Sequence, residues 1–119
     1  MAKCDEGYRC AVCGEDVEQI TDSDLYLRFI IGQVDAETLH TTRERHIRCN
    51  PAVAQFIVHA DFEPVSINGD LDKRKLDHLF VQEREALVTR GWQRLHEVRR
   101  LNLPITEYPL EEIRRRYQA

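Results

Sequence analysis

The chain has little of what would make it membrane-spanning, repetitive or uniformly charged. Its 119 residues include only five Gly and four Pro, too few for a low-complexity segment, and no period repeats. No run approaches the roughly 18 consecutive apolar residues of a membrane helix; the most apolar stretch, Leu25 to Val34, is interrupted by Arg28, Gly32 and Gln33. Seventeen Lys+Arg against 21 Asp+Glu give a net charge of -4, which argues against a protein that coats nucleic acid with an all-basic surface. Also missing are a glycine-rich phosphate loop, a nucleophile elbow and the βαβ context of a redox dithiol. Met1 to Glu6 carry no apolar stretch, so no secretory signal is read there and a reducing cytoplasm is the expected compartment.

What is present fits one soluble domain, since 42% of the residues are hydrophobic and 32% charged and domains most often run to about 100 to 150 residues. The chain divides at the Asn68-Gly69 turn. Residues 1–70 carry 6 basic and 13 acidic side chains, or -7, and residues 71–119 carry 11 and 8, or +3. Two regions are expected, one over 1–66 that holds all four cysteines and a helical one over 67–119, forming one compact unit. In the first, Tyr8 to Gly14 reads as a tight loop, and Leu25 to Ile31 as either a strand or a short buried helix. Asn50-Pro51 reads as an N-cap with proline in first position, opening a helix that Pro64 ends. In the second, the apolar stripe Leu76, Leu79, Phe80, Leu87, Leu95 and Val98 predicts one long helix over about 71–101. Gly91 is its candidate kink and Pro104 its stop. A short helix over about 109–118 follows, with Glu111 and Glu112 in its first turn and Arg114, Arg115 and Arg116 in its last, as the helix dipole favours.

The pattern that carries chemistry is Cys10-Ala11-Val12-Cys13-Gly14, followed by His46-Ile47-Arg48-Cys49. Zinc takes four tetrahedral nitrogen and sulfur ligands, and two residues three apart on a tight turn can direct both side chains at one ion. Gly14 suits the turn after the second cysteine, where a positive φ is commonly needed. Cys10, Cys13, His46 and Cys49 would saturate one Zn2+ and leave no position for water, the signature of a structural site. Arg9 and Arg48 sit beside ligands and are expected to offset its negative charge. Cys4, six residues before Cys10, is an alternative ligand in place of His46; His40 is a weaker one and reads as a solvated loop residue.

A C-x2-C-G knuckle, an irregular segment and a second ligand pair leading straight into a helix resemble the treble-clef group of zinc fingers, over about residues 8–60. The resemblance implies an α+β, mostly α chain, with Cys10 and Cys13 as the knuckle pair and His46 and Cys49 as the helix-side pair. Pro51 disfavours a helical Asn50 and places Cys49 just outside the helix, so a zinc-ribbon-like arrangement of two knuckles stays open.

Three functions compete for the rest of the chain. The first is a non-enzymatic protein-interaction or adaptor module, self-associating as a homodimer through the long helix, because a helix of about 30 residues is about 45 Å long and exceeds what so small a domain covers. The second is nucleic-acid binding, as in a transcription-related zinc finger, through Arg90, Trp92, Arg94, Arg99 and Arg100. The third is an HNH-type nuclease, for which His59 and His40 are the only candidate bases. No small-molecule substrate is implied.

Overall fold

The computed structural model describes residues 8–118. A short antiparallel hairpin, β1 (Tyr8–Arg9) and β2 (Asp16–Val17), pairs Tyr8 with Val17 and Arg9 with Asp16. It is followed by α1 (Asp24–Ile30), a single turn α2 (Pro51–Ala54), the long α3 (His78–Leu101) and α4 (Glu111–Gln118). Helix therefore dominates the described residues. The ambiguous stretch after Ser23 is a helix, because the Ser23 hydroxyl caps it by accepting from the Tyr26 N–H at 3.0 Å and every residue of α1 except Arg28 is buried.

The second half departs from expectation in two places. The long helix begins at His78 rather than near Leu71: a separate 3-10 turn, Lys73–Lys75, capped by the Asp72 carboxylate, intervenes, and Asp77 caps α3 afresh by accepting from Phe80 N–H. The last helix begins at Glu111, two residues after Pro109. At its far end α3 stops as expected before Pro104. Asn102 takes the left-handed conformation with φ 51°, which asparagine tolerates as a helix C-terminus.

Gly91 does not kink α3, which runs unbroken for 24 residues. It is the point where α1 crosses: a Cβ there would lie 2.4 Å from Ile31 Cγ2 and 3.1 Å from Leu27 Cδ1, so glycine sets the helix spacing. One buried cluster joins the two ends of the sequence, taking Leu27, Ile30 and Ile31 from α1 and its exit, Val88, Trp92, Leu95 and Val98 from α3, and Ile113 from α4. The C-terminal segment closes over α1 through a Leu110 N–H donated to Ile30 C=O at 3.1 Å and an edge-to-face contact of Tyr26 with Tyr108. Among the described residues, no helix is long and apolar enough to cross a membrane.

Candidate metal centre

Two segments 32 residues apart converge on one point. In the first, the β1–β2 hairpin closes a knuckle in which Cys10 N–H donates to Glu15 C=O at 2.8 Å and Gly14 N–H to Cys10 C=O at 3.0 Å. Gly14 has φ 79°, the left-handed conformation anticipated for it. In the second, His46 precedes a 3-10 turn, Ile47–Cys49, whose pitch brings His46 and Cys49 to the same side. Cys49 thus lies outside α2. Pro51 keeps Asn50 out of the helical conformation, at φ -123° and ψ 72°, and α2 itself is one turn, ending at Ala54 instead of running to Pro64. The chain leaves the helix there because the Thr89 hydroxyl donates to Phe56 C=O and accepts from Val58 N–H at 2.9 Å.

The ligand atoms of Cys10, Cys13, His46 and Cys49 all lie within 4.8 Å of one another. The His46 Nδ1 stands 3.3 Å from Cys13 Sγ and 3.8 Å from Cys49 Sγ. A tetrahedron with metal–sulfur and metal–nitrogen bonds of about 2.3 and 2.0 Å has edges of roughly 3.4 to 3.8 Å, so the donor set fits a zinc-sized ion with little rearrangement. The outer nitrogen strengthens the fit. His46 Nε2 is 3.0 Å from the Asp16 carbonyl, the partner that makes Nε2 the protonated nitrogen and turns the Nδ1 lone pair inward. Val12 N–H and His46 N–H donate to Cys10 Sγ, each at 3.4 Å, as backbone amides do around a thiolate ligand.

The sulfurs are electrostatically unequal. Burial opposes ionisation of Cys10, yet donation from the backbone amides of Cys13, His46 and Val12, together with the neighbouring His46 side chain, holds its thiol down to about 6. Burial, then the nearby Cys10 and Cys13 sulfurs, push Cys49 up to about 12. Burial works to lower His46, but its bonds to Cys10 and the Asp16 carbonyl raise it overall. Three thiols this close resist joint ionisation unless a cation is among them.

The segment that leads into His46 is anchored by a buried polar network that sequence reasoning missed. Asp24 is fully buried and accepts from Arg28 Nε at 2.9 Å, Arg45 Nε at 3.2 Å and Asn50 Nδ2 at 2.8 Å. Glu44, also buried, accepts from the Ser23 hydroxyl at 2.8 Å and from Arg45 and Leu25 N–H groups. Burial raises its carboxyl above the usual range, against those bonds. Asp24 N–H donates to Arg45 C=O at 2.9 Å. The first turn of α1 is therefore tied to both residues preceding His46.

Other candidates are placed elsewhere. Cys4 lies outside the described residues. His40 is exposed, and His59 packs against Trp92 with ring centroids 4.8 Å apart; neither joins the cluster. Trp92 is buried against Phe62 and His96, which corrects its assignment as a stacking surface for bases. Arg90 pairs with Glu112, Arg94 with Glu97 and the Glu107 and Tyr108 carbonyls, and Arg99 with Gln19; Arg100 is exposed. Arg48 lies 4.3 Å over the Phe62 ring. No family model, curated protein or solved structure matches the chain.

Proposed function

We propose that the chain is a zinc-stabilised, non-enzymatic protein-interaction module whose ion is structural. The observation that carries it is the four-donor set: three sulfurs and Nδ1 within 4.8 Å close a tetrahedron by themselves, and a saturated ion has no position for a reacting water. Three thiolates and one imidazole select zinc over the hard cations that prefer oxygen. A β-hairpin knuckle followed by a ligand pair at the entrance to a helix supports a treble-clef arrangement. Its departures are the single-turn helix and the last ligand just before it.

Self-association through α3 is the second part of the proposal. Leu79 is 67% exposed and Phe80 47%, with Leu71 at 59% in the preceding turn, so the N-terminal half of α3 presents large apolar side chains that this chain leaves uncovered. Nucleic-acid binding ranks below this, because three of its five expected contacts are held by partners within the chain and Trp92 is in the core.

Elemental analysis of protein purified without added metal should find close to one zinc per chain. Cys13→Ser should lose that metal and unfold residues before Ser66, because the binding energy of a structural zinc is folding energy. A Cys13→Ser protein that keeps its melting temperature would end the structural reading. Light scattering after size exclusion should give twice 14.0 kDa for a homodimer.

A further inference from the structure

An open cleft of about 520 Å3 lies between residues 9–11 and the loop 39–44. Its floor is apolar and buried, formed by Leu25, Tyr26 and Leu39. Its rim is cationic, with Arg9 and Arg43 exposed beside His40. These two guanidiniums stand out in a half that carries -7 overall. Among the described residues neither has an ion pair, whereas Arg28 and Arg45 of the same half both bind Asp24. The one carboxylate in the cleft wall, Glu44, is already occupied by Ser23 and by two backbone amides.

We propose that this cleft binds an acidic peptide segment of a protein partner, with carboxylates on Arg9 and Arg43 and an intervening aliphatic side chain on the Leu25–Leu39 floor. The inference rests on the interaction-module reading and names the chemistry of its partner. A planar guanidinium matches a carboxylate in two parallel hydrogen bonds, and a rim of one sign steers and registers a partner of the other. A compact phosphate fits less well. Phosphate sites gather convergent backbone N–H groups, but here Ala11 N–H is taken by Glu44 C=O, and Thr41 and Thr42 N–H groups by Thr38 C=O. The Thr41 and Thr42 hydroxyls donate to that same carbonyl. What remains is two exposed guanidiniums beside an apolar base, the complement of a segment that carries both carboxylates and an aliphatic side chain.

Because Arg9 and Ala11 flank Cys10, the knuckle fixes one wall of the cleft and the metal centre sets its shape. The test is fluorescence anisotropy of the full-length, metal-loaded protein with a fluorescein-labelled pentapeptide alternating glutamate and leucine. A glutamine–leucine peptide, a glutamate–serine peptide and pyrophosphate serve as the comparisons. Saturable binding that weakens as salt rises is expected, at least about tenfold tighter than for either altered peptide. Arg9→Gln/Arg43→Gln should lose about tenfold or more while keeping its zinc content and melting temperature. Equal binding of the glutamate and glutamine peptides, an unaffected double variant, or pyrophosphate binding as well as the peptide would each overturn the proposal. Zinc content read on the same samples separates the two readings. A wild-type protein that carries one zinc per chain and fails to bind the peptide sinks the cleft alone, and peptide binding by a zinc-free folded wild-type protein sinks the metal reading alone.

Discussion

Replacing Gly91 by alanine sets two effects of known sign against each other. In an exposed helix interior the change is stabilising by about 1 kcal/mol, because alanine loses less backbone freedom on folding. Here the new methyl would sit 2.4 Å from Ile31 Cγ2 and 3.1 Å from Leu27 Cδ1, far inside the optimum of about 3.5 to 4.0 Å for carbon pairs. Ile31 is 3% exposed, and its γ-methyl branches directly from Cβ, so it has no long flexible stem by which to withdraw. Overpacking a closed core costs about 1 to 3 kcal/mol, and contact this close belongs at the upper end. The net is a loss of about 2 kcal/mol, or roughly 6 to 12 °C in melting temperature for a chain of this size. Circular dichroism at saturating zinc reads it without the complication of metal loss, and urea unfolding should show a lower midpoint at unchanged slope. A Gly91→Ala protein that melts at or above the wild type would refute the close crossing of α1 and α3 and return Gly91 to the ordinary role of a helix-weakening residue. Ile31→Ala in the same background removes the obstructing methyl, so the two losses should fall short of additive by about 1 kcal/mol.

Other outcomes follow from the metal centre and its supports. Cys49, held up to about 12 in the metal-free site, must surrender its proton to bind zinc. Apparent affinity measured against a chromophoric chelator should therefore rise at least about tenfold per pH unit through neutrality, and a flat profile would contradict thiolate ligation. The raised His46 value makes the acid side steeper still. Asp24→Asn leaves the Arg28 and Arg45 guanidiniums without their shared, fully buried carboxylate. It should cost about 2 to 3 kcal/mol in chemical denaturation and weaken zinc binding as well, since Arg45 adjoins His46. A variant that loses stability but holds zinc as tightly as before would show that the network does not aim the histidine.

The four donors that cluster were readable in the sequence because both pairs are local: a spacing of three residues, a glycine at the knuckle, and a proline that fixes where the helix cannot start. The long helix was readable as an element, but its beginning was not. Leu71 and Leu76 continue the apolar period of α3, and only the Asp77 carboxylate, accepting from Phe80 N–H, separates them from it. Gly91 and Trp92 were misread for a common reason: their roles depend on what lies opposite in space. Glycine alone looks like a weak point and tryptophan like a stacking surface, whereas Ile31 and Phe62 make the first a close crossing and the second a core residue. The Asp24 and Glu44 network lay further out of reach, since the bonds that join the start of α1 to residues 44–50 span 19 to 26 residues, and the local Arg28–Asp24 pair alone looks like an ordinary surface pair.

The uneven burial of α3 also divides that helix in time. Its C-terminal half, through Val88, Trp92, Leu95 and Val98, can open only with the whole core, so its amides should exchange with solvent at the rate of global unfolding. From His78 to Leu87 no residue is fully buried, and this half can fray turn by turn at small cost. One continuous rod thus contains a fast-breathing end and a slow one, with Val88 as the boundary. A protease acting on the native protein should therefore cut near Arg84 long before it reaches Arg94.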